Sequence, residues 1–454
     1  MTARAIPIVQ HASADAVAAY VGGRPVSAGT FAADVRRVAA QLAQHSRTRR
    51  YVVNACADRY RFTVTFCAAI VDGRVNLLPI SRAPAALAEL AARYPAHVVV
   101  SDTELVSGVA AGIVVNHLPG AASEWPPPRV AHDAEAAIAF TSGSTGVPLP
   151  QVKLWGSLVD GARGERAGLG LEDAPAATTL VGTVSPQHMF GLESTVLLAL
   201  QGPFAFSDAH PLHPEQVAAA LAAVPGFRVL VTTPVHLRAL AGSEVAMPPL
   251  GCIVCATAPL AEDLAARCEA QWQTRVLEIY GCTETGQVAA RRTVEGPWWH
   301  ALAGVRIEER DDGFWAGGGH VTTPAPLADR LKLRDARTFV LEGRTNDLVN
   351  IAGRRTSLAA LNHALLAIDG VIDGTFFVPD EESGADQREA RLLAFVVAPE
   401  RTRNEILTAL RTRVDPVFLP RPLVLVDALP RNATGKLPRA DLRALALAHT
   451  ERRA

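Results

Sequence analysis

Only three of the 44 basic residues in this 454-residue chain are lysines, namely Lys153, Lys332 and Lys436. A compact, flexible ammonium and a planar guanidinium are not interchangeable at a fitted site, so each surviving lysine is a candidate for chemistry. Chance survival is the plain alternative for any one of them, and motif context has to decide. Lys436 lies in a near-terminal glycine loop, Leu429-Pro430-Arg431-Asn432-Ala433-Thr434-Gly435-Lys436-Leu437-Pro438-Arg439. Lys153 follows Phe140-Thr141-Ser142-Gly143-Ser144-Thr145-Gly146-Val147-Pro148, a strand running into small hydroxyl and glycine residues. Such a loop exposes N–H and hydroxyl groups that can wrap phosphate oxygens, while glycine permits close approach. It lacks the Gly-Lys-Ser/Thr of a Walker loop, and taken alone it reads more simply as a flexible turn.

A third segment, Glu278-Ile279-Tyr280-Gly281-Cys282-Thr283-Glu284-Thr285-Gly286, follows an apolar strand. The Glu284 carboxylate beside the Thr283 hydroxyl could hold Mg²⁺ and a phosphate, and Tyr280 offers a flat face to a base. A fourth is Gly343-Arg344-Thr345-Asn346-Asp347, with Asp329 upstream and Gly353-Arg354-Arg355 downstream. His188 sits in an apolar segment, where a lone histidine is more often packed core. Cys252-Ile253-Val254-Cys255 looks like half a metal site but has no second pair. Residues three apart on a strand face opposite ways, so this pair reads as core.

The elements that must position these residues alternate. Phe31–Ala39 has the apolar spacing of a helix, and Tyr51–Cys56 and Ala96–Val100 read as short buried strands. Further strands are expected at Ala137–Phe140, Arg228–Val231 and Cys252–Cys255, with helices at Pro214–Ala223 and Ala261–Gln271. Alternation of this kind implies an α/β architecture with a mostly parallel sheet. Past Gly343 the rhythm changes. Ser357 can cap a helix with Leu358, Leu361, Leu365 and Ile368 on one face. Strands at Thr375–Val378 and Leu392–Val397, the polar loop Asp380–Ala390, a helix at Asn404–Arg413 and a strand at Pro422–Val426 complete a small α+β unit. No repeat of 20–50 residues is present.

Composition narrows the class. The chain is 49% hydrophobic and 20% charged with a formal net charge of -1, which argues against nucleic acid or an anionic membrane as partner. No apolar run approaches the roughly 18 residues of a membrane span. The N-terminus lacks the pattern of a cleaved signal, and six scattered cysteines make no disulfide scaffold. The expected location is cytoplasmic.

Taken in order, the four motifs resemble the superfamily of adenylate-forming enzymes, which includes acyl-CoA synthetases, aryl-acid ligases and adenylation domains of peptide synthetases. The resemblance covers about residues 20–445 and includes Pro186-Gln187-His188-Met189-Phe190-Gly191-Leu192 and Ala256-Thr257-Ala258-Pro259-Leu260. It implies a large N-terminal multi-sheet α/β domain (1–345) and a small mobile C-terminal α+β domain (346–454) hinged at Asn346. It also implies a two-step reaction using ATP and Mg²⁺. A carboxylate attacks the α-phosphate to give an acyl-adenylate and pyrophosphate, and a thiol of coenzyme A or an acyl carrier protein then displaces AMP.

By that resemblance Thr141, Ser142, Gly143, Ser144, Thr145 and Gly146 cradle the β- and γ-phosphates. Glu284 binds Mg²⁺ and Thr283 the α-phosphate. Tyr280 with Thr257, Ala258 and Pro259 contains adenine, and Asp329 with Arg344 beside it holds the ribose. Lys436 bridges the attacking carboxylate and the α-phosphate. His188, Met189, Gly281 and Gly286 line the acid pocket, with His188 between it and a thiol channel at Gly353 and Arg354.

The chain also departs from the family pattern. The usual phosphate-loop lysine position holds Leu149, and Asn346 replaces the usual Asp or Lys. Leu327-Ala328-Asp329 stands for Thr-Gly-Asp, and the stretch from Glu284 to Asp329 is compressed. Pro148 and Pro150 suggest an irregular extended loop that swings Lys153 back to the β/γ-phosphates, ahead of a helix starting near Trp155. The alternative is an exposed Lys153 contacting nothing. The compact form looks most like stand-alone ligases of aryl-polyene and xanthomonadin-type pathways, which load a hydroxybenzoate-type starter onto a carrier protein. A CoA ligase for a different acid and a non-catalytic scaffold member are the other readings.

Overall fold

A computed structural model of the chain describes residues 4–79, 84–103, 112–141, 149–344, 348–351, 354–379, 392–432 and 435–451. The first helix, Ala28–Ala43, starts where Ser27 Oγ accepts the Thr30 N–H at 3.1 Å, satisfying one free donor of the first turn. Its Phe31, Val35, Val38 and Leu42, at helical spacing, are fully buried.

Two sheets form the large domain. The smaller runs, in spatial order, Leu149–Leu154, Glu135–Thr141, Val75–Leu78, Tyr51–Asn54, His97–Ser101 and Gly112–Val114. All its neighbours are parallel except the first pair. The larger has 11 strands. Its parallel centre runs Arg275–Cys282, Cys252–Cys255, Phe227–Thr232, Thr178–Gly182, Ala205–Ser207 and Val17–Val21. Beyond Arg275–Cys282 the sheet continues antiparallel through Gly286–Arg292, Trp298–Ala301, Thr338–Arg344 and Asp329–Asp335.

Across the two sheets parallel neighbours outnumber antiparallel ones, as expected, but the antiparallel end of the larger sheet was not foreseen. From Gly286 to Arg344 the strands are joined by connections without room for crossover helices, so they pair as hairpins and meanders. The compressed stretch before Asp329 holds its own three-stranded sheet, Arg306–Arg310, Gly313–Gly318 and Val321–Leu327. Cys252 and Cys255 are both buried, and they belong to hydrophobic clusters on opposite faces of the large sheet. The core reading of that pair holds.

A correction concerns Lys153. It lies on a strand, opposite Ala137, with a shift of register just after it between Lys153 and Leu154, and not in an extended loop. Pro150 is tolerated there because Leu149–Leu154 is an edge strand, where a missing N–H is cheapest. The following helix does begin at Trp155.

The small domain is built on Asp373–Phe377, Leu393–Val397 and Leu423–Leu425. Helices Leu358–Leu366 and Arg403–Arg411 cover one face, burying Leu361, Leu365, Ile406 and Leu410 against Phe376 and Val396. Helix Arg439–Glu451 covers the other, with Leu442 and Ala446 on Phe377 and Phe395. Asn346 and the Asp380–Ala390 loop lie outside the described residues. Among the described residues no helix is long and apolar enough to cross a membrane.

One side chain joins the two large sheets. Arg59 opens the helix Arg59–Val71, which packs on the smaller sheet, and its guanidinium is wholly buried. Nη1 donates to Ser207 O at 3.0 Å and Ala209 O at 2.5 Å. Nη2 donates to Gly182 O at 2.9 Å and Val184 O at 2.8 Å. Burial lowers its pKa to about 10, so it remains charged at neutral pH. Replacing it by alanine leaves without that donor four carbonyl groups at the ends of two strands of the larger sheet and just beyond them. Arg59→Ala should cost about 3–5 kcal/mol, read as a lowered urea midpoint; a change below 1 kcal/mol would mean that the carbonyls find other partners.

Candidate active site

The segment expected to meet the nucleotide is a hairpin. Strands Arg275–Cys282 and Gly286–Arg292 pair with Cys282 opposite Gly286, which puts Thr283 and Glu284 at the tip. A Cβ on Gly281 would come 2.2 Å from Gly286 O, so the hairpin closes this tightly only with glycine there. Thr285 Oγ1 receives the Cys282 N–H at 3.3 Å and donates to Gly286 O at 2.8 Å, fixing the turn. Behind the tip, Tyr280 rests on Trp299 and Phe339. Its hydroxyl donates to Asp329 Oδ2 at 2.8 Å, and Asp329 is the register partner of Arg344. The residues expected to hold adenine and ribose are thus brought together by the antiparallel half of the sheet.

The loop Ala256–Leu260 leaves the neighbouring strand. Thr257 there has φ of 83°, in a region that side chains rarely occupy and that marks stored strain at functional loops. Glu278, buried, ties this loop to the Tyr280 strand. Its Oε1 accepts the Leu260 N–H at 3.1 Å, while Oε2 accepts from Arg291 Nε at 2.8 Å and Thr293 Oγ1 at 3.0 Å. Sequence reasoning passed over Glu278 although it opens the motif.

Lys153 is buried, and its Nζ donates to the backbone carbonyl of Glu284 at 2.8 Å. The exposed alternative is excluded, and the ammonium is directed at the hairpin tip itself. Burial lowers its pKa, opposed by the Glu193 carboxylate. Glu193 in turn is raised by burial and held back by Lys153. Glu165, wholly buried on the helix Trp155–Gly168, lies in the same cluster, and burial pushes its pKa up to about 7. Gln287 Nε2 donates to Ser194 Oγ at 3.1 Å, and His320 Nε2 lies 2.6 Å from Gln287 O. None of Glu165, Glu193 and Gln287 was anticipated; the signal was a glutamate ending the apolar run Met189-Phe190-Gly191-Leu192.

The segment expected to line the acid pocket is a helix with a widened turn. His188 caps the short helix Met189–Gly191, its Nδ1 accepting the Phe190 N–H at 3.3 Å, and a π-helical stretch Leu192–Leu197 follows. Such bulges recur at functional sites. Gly191 is obligatory, since a Cβ would lie 2.0 Å from Ser185 O. Met189 is buried, and Gly286 faces Glu193 across the segment: a Cβ at 286 would meet Glu193 Oε1 at 2.6 Å.

The small domain delivers Lys436 to this place. Arg431 grips Asp373 through Nε at 2.6 Å and Nη2 at 2.7 Å, and its Nη1 donates to Gly435 O at 2.6 Å. Asn432 Oδ1 accepts the Lys436 N–H at 3.0 Å. A Cβ on Gly435 would lie 3.7 Å from Thr233 Oγ1 of the large domain, and Arg238 Nη1 donates across the domains to Leu366 O at 3.1 Å. Burial first, and the Lys436 ammonium second, push the His188 pKa down to about 3, so the ring is neutral beside Lys436.

Ser142, Gly143, Ser144, Thr145 and Gly146 of the phosphate loop lie outside the described residues, as do Asn346 and Gly353. Thr141 ends the strand Glu135–Thr141, and Arg354 starts the strand Arg354–Ser357. Among the described residues no group of three or more His, Cys, Asp or Glu could cage a metal. A single carboxylate such as Glu284 at an open hairpin tip suits Mg²⁺, which binds through one or two carboxylates plus substrate phosphates.

Residues 9–343 match the model of the AMP-binding enzyme family, and residues 363–436 that of the AMP-binding enzyme C-terminal domain. The chain is 30% identical over 304 residues to a 4-coumarate–CoA ligase of Rhodobacter capsulatus, covering 66% of this chain and 74% of that protein. Among solved structures, ATP-bound MatB from Rhodopseudomonas palustris superposes with a TM-score of 0.79 at 19% identity, over 96% of this chain and 97% of that one. The anthranilate CoA ligase AuaEII in complex with anthranoyl-AMP gives 0.80 at 14% identity, over 98% and 99%. Fold and site define a two-domain, adenylate-forming ligase that joins an acid to a thiol and releases AMP. The chain belongs to the AMP-binding enzyme family.

Two outcomes follow from the strained and buried groups. Thr257→Gly should raise stability by about 1 kcal/mol, the relief of a positive φ less the entropy of glycine; a lower melting temperature would contradict the strain. For Glu165, the folded chain holds an extra proton from about pH 4.5, where a free glutamate titrates, up to about 7. Stability therefore falls as pH rises through that window. Glu165→Gln should flatten that part of the urea-midpoint profile, and an unchanged slope would assign it elsewhere.

Proposed function

We propose that the chain adenylates a small aryl acid of the hydroxybenzoate kind and passes the acyl group to the phosphopantetheine thiol of an acyl carrier protein. The observation that carries the first half is the docking of the Lys436 loop beside neutral His188, with the Thr283–Glu284 tip on the nucleotide side. The acid's carboxylate oxygen attacks the α-phosphorus, and the bond to the β-phosphate oxygen breaks to release pyrophosphate. Lys436 offsets the charge that builds as these anions meet. Thr283 donates to an α-phosphate oxygen, Thr141 and the loop after it hold the outer phosphates, and Asp329 accepts from the ribose hydroxyls. Tyr280 keeps Asp329 aimed. Mg²⁺, held by Glu284, would neutralise the leaving phosphates.

The aryl reading is supported by the names of the relatives, a 4-coumarate–CoA ligase and an anthranilate CoA ligase. The second reading takes coenzyme A as acceptor, and the same relatives' names favour it. Residues 1–345 and 346–454 serve as the nucleotide domain and the mobile lysine domain, pivoting at Asn346, with Gly353 and Arg354 entering the thiol channel after adenylation.

ATP–pyrophosphate exchange over benzoates, cinnamates and fatty acids tests the reading, and acyl loading of a carrier protein against coenzyme A tests the acceptor. Lys436→Ala should lower exchange by about 100-fold or more while sparing thiol transfer from a supplied acyl-adenylate. Equal loss in both half-reactions would remove Lys436 from its assigned place.

A further inference from the structure

The strand Leu149–Leu154 inverts the usual partition of side chains. Leu149 and Val152 are 53% and 51% exposed, whereas Lys153 is the one buried residue of the strand. An apolar side chain would be buried there more cheaply, because an ammonium loses its hydration on entering the interior. The shift of register between Lys153 and Leu154 is an irregularity of the kind that re-aims a side chain next to a site. The strand belongs to the smaller sheet. What Lys153 reaches, the Glu284 carbonyl at 2.8 Å, stands on a hairpin tip of the larger one.

A second buried charge acts on the same turn. Glu193, in the π-helical stretch Leu192–Leu197, is the foremost carboxylate favouring the charged form of Lys153. Its own carboxylate accepts the backbone N–H of Gln287, on the return strand of the hairpin. Lys153 therefore holds a carbonyl within the turn, and Glu193 an N–H just past its end. Opposite charges buried in this way are often no more stabilising than apolar residues of the same volume. What they add here is a fixed position for one stretch of backbone, the one that carries Thr283 and Glu284.

Resting on the reading that Glu284 holds Mg²⁺ beside the outer phosphates of ATP, we propose that Lys153 is a positioning residue for that carboxylate. By tying the Glu284 carbonyl to the smaller sheet, it fixes the direction in which the Glu284 side chain leaves the tip. It touches neither the phosphates nor the metal. Groups that orient a metal-ligating residue typically govern about 10–100-fold in metal affinity. AMP has no outer phosphates, so its binding does not draw on this device.

The test is titration calorimetry of the full chain with three ligands: ATP with Mg²⁺, ATP with EDTA, and AMP. Lys153→Met should weaken ATP binding in Mg²⁺ by about 10-fold or more and leave the other two affinities near their wild-type values. Pyrophosphate exchange should then need correspondingly more Mg²⁺, with KM for the acid unchanged. Because Lys153→Met strands the Glu193 carboxylate, a second variant combines it with Glu193→Gln, which keeps an acceptor for the Gln287 N–H. Checked for folding by thermal melt, it provides the same comparison without the unpaired charge. An equal loss for all three ligands, as general damage to the fold would cause, overturns the proposal. So does a loss shared by ATP in EDTA, which would put the ammonium on the phosphates themselves, and so does an intact Mg²⁺ advantage in the folded variants. A wild-type chain that binds ATP equally with and without Mg²⁺ is a different failure: it removes the metal from Glu284 and overturns the underlying reading together with the proposal.

Discussion

The grip of Arg59 on four backbone carbonyls sets the frame in which everything else is placed. Two of those carbonyls, of Gly182 and Val184, come just before the Pro186–Leu192 segment, and the other two, of Ser207 and Ala209, end and follow the neighbouring strand. A guanidinium can satisfy several acceptors in one plane, which an ammonium cannot do with the same geometry. Gln187 adds a second clasp, its Nε2 reaching Asn54 O at 3.2 Å in the smaller sheet. His188 and the widened helix after it are thereby referenced to both sheets at once. The His188 segment depends on this seam more than on its own short helix.

The Thr283–Glu284 tip depends on something different, the change from parallel to antiparallel pairing at Arg275–Cys282. A parallel strand would have to leave the sheet at its end. An antiparallel one turns back at once, so Thr283 and Glu284 stand on a two-stranded tip held by backbone hydrogen bonds and by Lys153. The next strands return Asp329 to within reach of the Tyr280 hydroxyl although 49 positions separate them. Rigid strands and buried polar bonds, not loops, hold these groups, which suits chemistry that needs charge placed in advance.

Much of this was legible from residue order. The helix at Ala28–Ala43, the strand at Cys252–Cys255 and the elements of the small domain follow from apolar periodicity, because each buries one face on a single neighbour. The pairing of Asp329 with Arg344 and the arrival of Lys436 were carried by motifs. The antiparallel half was not legible, since Gly286–Arg344 alternates weakly and its order is set by tight turns. Lys153 was misplaced because two nearby prolines argue for a loop unless the strand is known to be an edge. The Glu165–Glu193–Lys153 cluster was invisible for another reason: its members come from three separate elements, and only packing puts them together.

The electrostatic pairing of His188 with Lys436 links proton uptake to domain geometry. The docked lysine disfavours a charged imidazole, so by reciprocity a charged imidazole disfavours docking. Any displacement that carries the Lys436 loop off the large domain removes that repulsion and makes the ring more basic. The imidazole is therefore a native reporter of whether the Lys436 loop is docked, read from its own proton resonances with no label attached.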